Sequence, residues 1–185
     1  MDTAHLSSLL TGYSSPFPEE SIARLRMLSL LEKGKDAWNR VHYEPGHFTA
    51  SAYVLNPVDW RVAMVFHRHL KRWLQPGGHA EDSDATIEAS ARRELLEETG
   101  LDPRGKWELL DLDIHVIPAR PGQPAHEHFD LRFLCLPSQE ILPELCAADD
   151  AEAACWQPME LLRKSDEVGM RRIYVKLAEF IGSIH

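Results

Sequence analysis

The sequence predicts an α/β domain layered on a mixed β-sheet, and three observations lead there. Segments rich in strand formers are interleaved with segments of helical periodicity. Several strands follow one another with no helix between them, which a wholly parallel sheet does not allow. With 44% hydrophobic and 26% charged residues among 185, the chain can bury one core of ordinary composition. The pattern changes at Gly46, which divides an N-terminal helical extension, residues 1–45, from a main domain, residues 46–185.

Residues 3–12 and 19–38 read as helices separated by Pro16 and Pro18. In the second, Ile22, Leu25, Leu28 and Leu31 recur at helical spacing, with Glu19 and Glu20 near the start. Trp38 is expected where the extension meets the main body. The extension shows no chemistry and reads as a helical cap or a homodimer contact. Residues 47–55 and 61–67 are strands, and the turn sequence Asn56–Asp59 would join them as a hairpin. Trp73 and Leu74 lead into Pro76-Gly77-Gly78. A helix then begins near Ala85 or Thr86, with Asp82, Ser83 and Asp84 offering N-cap oxygens. Ile87, Ala91 and Leu95 form its buried stripe, and Gly100 closes it in the left-handed conformation. Trp107–Ile117 and His128–Leu136 have strand character and flank a Pro-containing surface loop, 118–125. An acidic connection, 142–152, precedes a short strand at 153–156 and a helical turn after Pro158. The last helix, 170–184, carries Ile173, Leu177, Phe180 and Ile181.

A net charge of −9 disfavours a nucleic-acid polymer as partner, since phosphate contacts need a basic surface. No stretch approaches the ~20 apolar residues of a membrane span, and the first residues lack the basic start of a signal peptide. A cytoplasmic protein with no membrane partner is the expectation. Cys135, Cys146 and Cys155 are odd in number and have no paired spacing, which argues against a disulfide framework or a Cys-rich zinc site. Cys135, in an apolar run, reads as a buried thiol.

Glu94, Glu97 and Glu98 stand at i, i+3 and i+4 and share one helix face. Alone, such a face is an ordinary solvated surface. The Gly-Gly turn ahead of it and the Gly behind it favour a metal platform instead. Three carboxylates supply the oxygen ligands that Mg²⁺ or Mn²⁺ prefers, and glycine lets a backbone carbonyl approach closely. Arg93 can hold one carboxylate in place. The matching substrate is anionic and oxygen-rich, and a diphosphate suits it best. Arg68, Lys71 and Arg72 form a basic cluster before the turn, which either counters phosphate or balances the acidic helix. His79 follows the turn. Alternation places His126, His128 and Asp130 on one strand face, either reaching the site or forming a polar edge.

At these residues a resemblance emerges. Gly78 to Leu101 resembles the signature of the Nudix hydrolases, which runs Gly, five residues, Glu, seven residues, Arg-Glu-apolar-x-Glu-Glu-x-Gly-apolar. Arg93, Glu94, Leu95, Glu97, Glu98, Gly100 and Leu101 match its second half without a gap. Counted forward from Gly78, Asp84 takes the place of the first Glu; counted back from Arg93, Ala85 does, so one residue is inserted before the helix. The entry Trp73–Gly78, and Trp156 with Pro158 and Glu160–Leu162, also resemble the family. The resemblance implies an α/β/α sandwich and hydrolysis of a nucleoside diphosphate linked to another moiety. It implies Mg²⁺ or Mn²⁺ bound by Glu94, Glu97, Glu98 and the carbonyl of Gly77. Glu97, Glu98 and Arg93 would form the catalytic set. A later acid, Glu152 first and Asp150 second, would serve as ligand or general base. Arg68, His79 and His128 are expected to face a small-molecule nucleotide. A nucleotide sensor without hydrolysis is the alternative. A diphosphate isomerase on the same scaffold would need an active-site Cys.

Overall fold

The computed structural model describes residues 1–148 and 151–184, the side chains of Lys35 and Ile184 excepted. The chain runs α1 (Thr3–Gly12), α2 (Pro18–Leu31), a 3-10 turn (Gly34–Trp38), β1 (Gly46–Val54), β2 (Val62–His67), β3 (Arg72–Leu74), β4 (Gly77–His79), α3 (Ile87–Thr99), β5 (Gly105–Ile117), β6 (His126–Pro137), β7 (Ala151–Gln157), α4 (Glu160–Arg163) and α5 (Val168–Ile184). Two sheets result: a four-stranded sheet in the order β4-β1-β6-β5 and a three-stranded sheet in the order β3-β2-β7. The first is mixed, with β1 parallel to β6 and antiparallel to β4. The second is antiparallel throughout.

The hairpin expected between residues 47–55 and 61–67 does not form. β1 and β2 lie in different sheets, and among the described residues the pairing where they adjoin is a single bridge, Leu55 to Val62, although their side chains share core clusters. The reason is visible in β1 itself. It is buried along its whole length, and both of its edges are taken, by β4 and by β6.

Strand alternation divides the four-stranded sheet into two faces. One carries Phe48, Ala50, Leu112, Phe129, Leu131 and Phe133, which share a cluster with Leu6, Leu10, Met27 and Leu30 of the N-terminal helices and with Ile87 and Ala91 of α3. The other carries His47, Thr49 and Ser51 on β1 and His126, His128, Asp130 and Arg132 on β6. That face turns apolar further along, where Tyr53 and Leu134 meet Met64 of β2 and Ile173 and Leu177 of α5.

The N-terminal extension differs from its expected form in two respects. The helix predicted over 19–38 ends at Leu31, and Gly34, at φ 66°, starts the 3-10 turn that delivers Trp38 onto Phe48, ring centroids 4.8 Å apart. The buried face of α2 is Glu20, Ala23, Met27, Leu30 and Leu31, whereas Ile22 and Leu25 are each 61% exposed. Glu20 sets this orientation. Its fully buried carboxylate accepts from Lys176 Nζ (2.6 Å), from the Leu112 backbone N–H (3.1 Å) and from the hydroxyls of Tyr13 and Ser15.

Candidate functional site

α3 is the platform of the site. Its N-cap is Thr86, whose hydroxyl accepts from the Ala89 N–H at 3.2 Å, and not Asp82, Ser83 or Asp84 as the composition suggested. Asp84 is committed elsewhere. It is 6% exposed and accepts from Arg93 Nη2 (3.0 Å) and Nε (3.1 Å to its other oxygen), from Ser90 Oγ (2.8 Å) and from the Glu81 N–H (2.9 Å). Burial alone would raise its carboxyl, but these bonds, led by the one from Arg93, hold it below the ordinary range. At the far end Gly100 closes α3 with φ 69°.

The Arg93 guanidinium gathers the acids. Besides Asp84 it donates to Glu94 Oε1 (3.0 Å), Glu97 Oε2 (2.8 Å) and the carbonyl of His79 (2.7 Å). Glu98 lies over the glycine turn and accepts from the Gly77 N–H at 2.9 Å. Gly78 leaves room for the Glu94 carboxyl where it stands: a Cβ there would fall 2.6 Å from it. Glu94, Glu97, Asp84 and Glu81 thus crowd around one guanidinium, with Glu98 beside them on the glycine turn. Burial pushes the Glu94 carboxyl up, Arg93 pulls it partly back, and Glu97 and Glu81 add to the rise. An all-oxygen donor set, under-compensated in charge and packed against bare glycine backbone, fits a hard divalent cation.

A cleft of about 590 Å³ opens beside this platform. Gly77, Gly78, His79, Arg93, Glu94, Glu97, Glu98 and His128 all line it, as do Asp130, Arg40, Arg120 and His115. Ser51 and Thr49 donate to Asp130 at 2.8 and 3.1 Å, and Arg132 Nε does so at 3.1 Å. The strand register builds this wall. It sets His47 opposite His128 and His128 opposite His115, and the next row is Thr49, Asp130 and Asp113. Burial drives His79 down to about 4 and His128 down to about 2, with neighbouring imidazoles adding to both, so both rings are neutral near pH 7.

Two expected site residues stand apart from the cleft lining. Glu152 is half exposed and accepts from Lys71 Nζ at 2.6 Å on the surface, and Arg68 is exposed. Asp150, the second choice for a late acid, lies outside the described residues. No cysteine is among the cleft-lining residues: Cys135 is buried and pushed up to about 12 by that burial. Sequence reasoning passed over His47, Thr49 and Ser51. Polar residues at every second position of an otherwise apolar strand were the available signal. No helix among the described residues is long and apolar enough to cross a membrane.

A comparison with protein families matches the NUDIX domain over residues 47–177. Among solved structures, the NUDIX domain of Shewanella oneidensis NrtR, complexed with ADP ribose, is similar with TM-score 0.53 at 18% identity, covering 72% of this chain and 87% of that one. A C. elegans Ap4A hydrolase is similar with TM-score 0.54 at 13% identity, covering 74% and 98%. The E. coli dihydroneopterin triphosphate pyrophosphohydrolase gives 0.51 at 13% identity, covering 71% and 95%. At these identities the likeness is one of fold. A search of curated proteins finds no match.

Proposed function

The chain belongs to the NUDIX domain family, and from that premise we propose that it is a metal-dependent pyrophosphohydrolase cleaving the diphosphate bond of a nucleoside diphosphate linked to another moiety. The observation that carries this reading is the convergence of Glu94, Glu97 and Glu98 on one cleft against the bare backbone of Gly77 and Gly78. Glu94, Glu97, Glu98 and the Gly77 carbonyl would hold Mg²⁺ or Mn²⁺, which when bound neutralises diphosphate oxygens and lowers the pKa of water. Arg93 acts as a positioning residue, fixing the rotamers of Glu94 and Glu97 from its anchor on Asp84. Glu97, the exposed member of the three, would take a proton from an attacking water, and Glu98 is held by the Gly77 N–H. Arg40 and Arg120 at the cleft wall supply charge for phosphate oxygens. His79 and His128, kept neutral, offer hydrogen bonds there without adding charge.

The test is release of phosphate or nucleoside monophosphate from ADP-ribose, diadenosine tetraphosphate and nucleoside triphosphates, with and without Mg²⁺ or Mn²⁺. Turnover that requires the cation is expected. Tight nucleotide binding with no turnover of any substrate would instead establish a sensor. Glu97→Gln and Glu98→Gln should each lower kcat by about 10²–10⁴-fold while leaving the unfolding midpoint in place.

A further inference from the structure

The polar face of the four-stranded sheet ends in a group of imidazoles of which the diphosphate reading uses His128 alone, at the cleft. His47 of β1 and His126 of β6 are 0% and 3% exposed, and His128, half buried, lines the cleft. One ring nitrogen of each lies within 4.8 Å of those of the other two. The Nε2 atoms of all three are buried without a hydrogen-bond partner among the described residues. Two of the rings have their tautomer set from behind. His47 Nδ1 meets the His42 carbonyl at 3.1 Å, and His126 Nδ1 meets the Pro124 carbonyl at 2.9 Å. A carbonyl only accepts, so the proton sits on Nδ1 and Nε2 presents a lone pair. The two lone pairs of His47 and His126 converge with the third ring, whose Nε2 is also unpartnered, and buried polar atoms are seldom left without a partner. A backbone carbonyl behind Nδ1 and a bare Nε2 in front is the arrangement of metal-binding histidine.

We infer that His47, His126 and His128 form a nitrogen-donor site for a transition-metal cation of the zinc class, separate from the carboxylate platform and bordering the same cleft. Donor chemistry separates the two sites. Imidazole suits Zn²⁺ and its neighbours, whereas Mg²⁺ prefers carboxylate, carbonyl and water. Three histidines leave a coordination position for water or a substrate oxygen. A zinc ion with nitrogens at about 2.0–2.1 Å holds them roughly 3.4 Å apart, so the three rings draw inward on binding. His79 and His115 pack around the group, with ring centroids 5.0 Å from His47 and 5.5 Å from His128 respectively.

The test uses the full chain stripped of metal by a chelator and titrated calorimetrically with Zn²⁺ in millimolar Mg²⁺. One Zn²⁺ per chain is expected. His126→Gln and His128→Gln should each weaken it at least 100-fold, whereas Glu97→Gln and Glu98→Gln should leave it within about threefold. Failure to bind Zn²⁺, or loss of binding in the glutamate variants but not in the histidine variants, overturns the proposal. Should a histidine variant misfold, Co²⁺ added to the unaltered chain decides. Intense visible bands of a low-coordinate nitrogen site support the assignment, and the weak spectrum of an octahedral oxygen site sinks it. Metal uptake is read without turnover, so a negative result here leaves the hydrolase reading untouched.

Discussion

Asp84 and Gly78 show how single residues build the platform. The inserted residue before α3 brings a shorter acid to Arg93, and Asp84 still makes a two-pronged contact with it. Asp84→Asn keeps the shape and removes the charge. It should lower activity at least tenfold, because Arg93 would no longer be fixed while it holds Glu94 and Glu97, and should cost about 1–3 kcal/mol in a urea melt. An activity loss with unchanged dependence on Mg²⁺ concentration would count against this route. Gly78→Ala acts differently. The Cβ meets the mobile end of Glu94 rather than backbone, so the carboxylate swings away while the fold stands. The unfolding midpoint should move little, and the Mg²⁺ or Mn²⁺ concentration for half-maximal activity should rise severalfold. A variant that unfolds instead would mean that the backbone cannot yield.

At the scale of elements, α3 was the most legible part of the chain. Its apolar stripe, its closing glycine and its acidic face obey the 3.6-residue period, and Ile87, Ala91 and Leu95 are buried as that period requires. Its start was misread because Asp82, Ser83 and Asp84 all look like caps, and nothing local tells that Asp84 is taken by an arginine nine residues away. Thr86→Ala removes the true cap and should cost about 1 kcal/mol of stability, while Ser83→Ala should cost nothing measurable. β1 was harder to read. Its alternation of His47, Thr49 and Ser51 with Phe48, Ala50 and Ala52 tells which residues share a face but not which strands lie alongside, and the adjacent strand in sequence was the wrong one. The histidine wall was equally hidden. His47, His115 and His128 come from three strands and meet only once the register is known. In α2, apolar spacing favoured Ile22 and Leu25, but a buried carboxylate decided the face, and charge patterns do not announce which acid will be buried.

Glu20 belongs to a network that ties the whole molecule together. On β5, Asp111 accepts from Arg172 Nε (2.7 Å) and Lys176 Nζ (3.0 Å) of α5, and Asp113 accepts from Arg132 Nη2 of β6 at 2.8 Å. Lys176 also donates to Glu20, so α2, β5, β6 and α5 meet around buried charges. Removing one partner from such a group leaves another charge buried and uncompensated, at about 3–5 kcal/mol. Arg172→Met should therefore destabilise the chain by about that amount. The pH dependence makes the test specific. Burial alone would raise the Asp111 carboxyl, but the bond from Arg172 and the charges of Arg132 and Lys176 hold it below its ordinary range; Asp113, buried too, is pulled down chiefly by Arg132. Below about pH 4, the ordinary carboxylate range, the unfolded chain therefore binds more protons than the folded one, and stability falls as pH falls through that range. Above it the contribution is fully present and flat. In Arg172→Met the pull on Asp111 weakens and its folded pKa rises toward the unfolded one, so the acid loss of stability should start at the same pH but be smaller and level off sooner. Urea midpoints measured from pH 3 to 7 for both proteins decide it: curves that differ only by a constant offset would mean that Arg172 stabilises α5 by packing and not through the charge of Asp111.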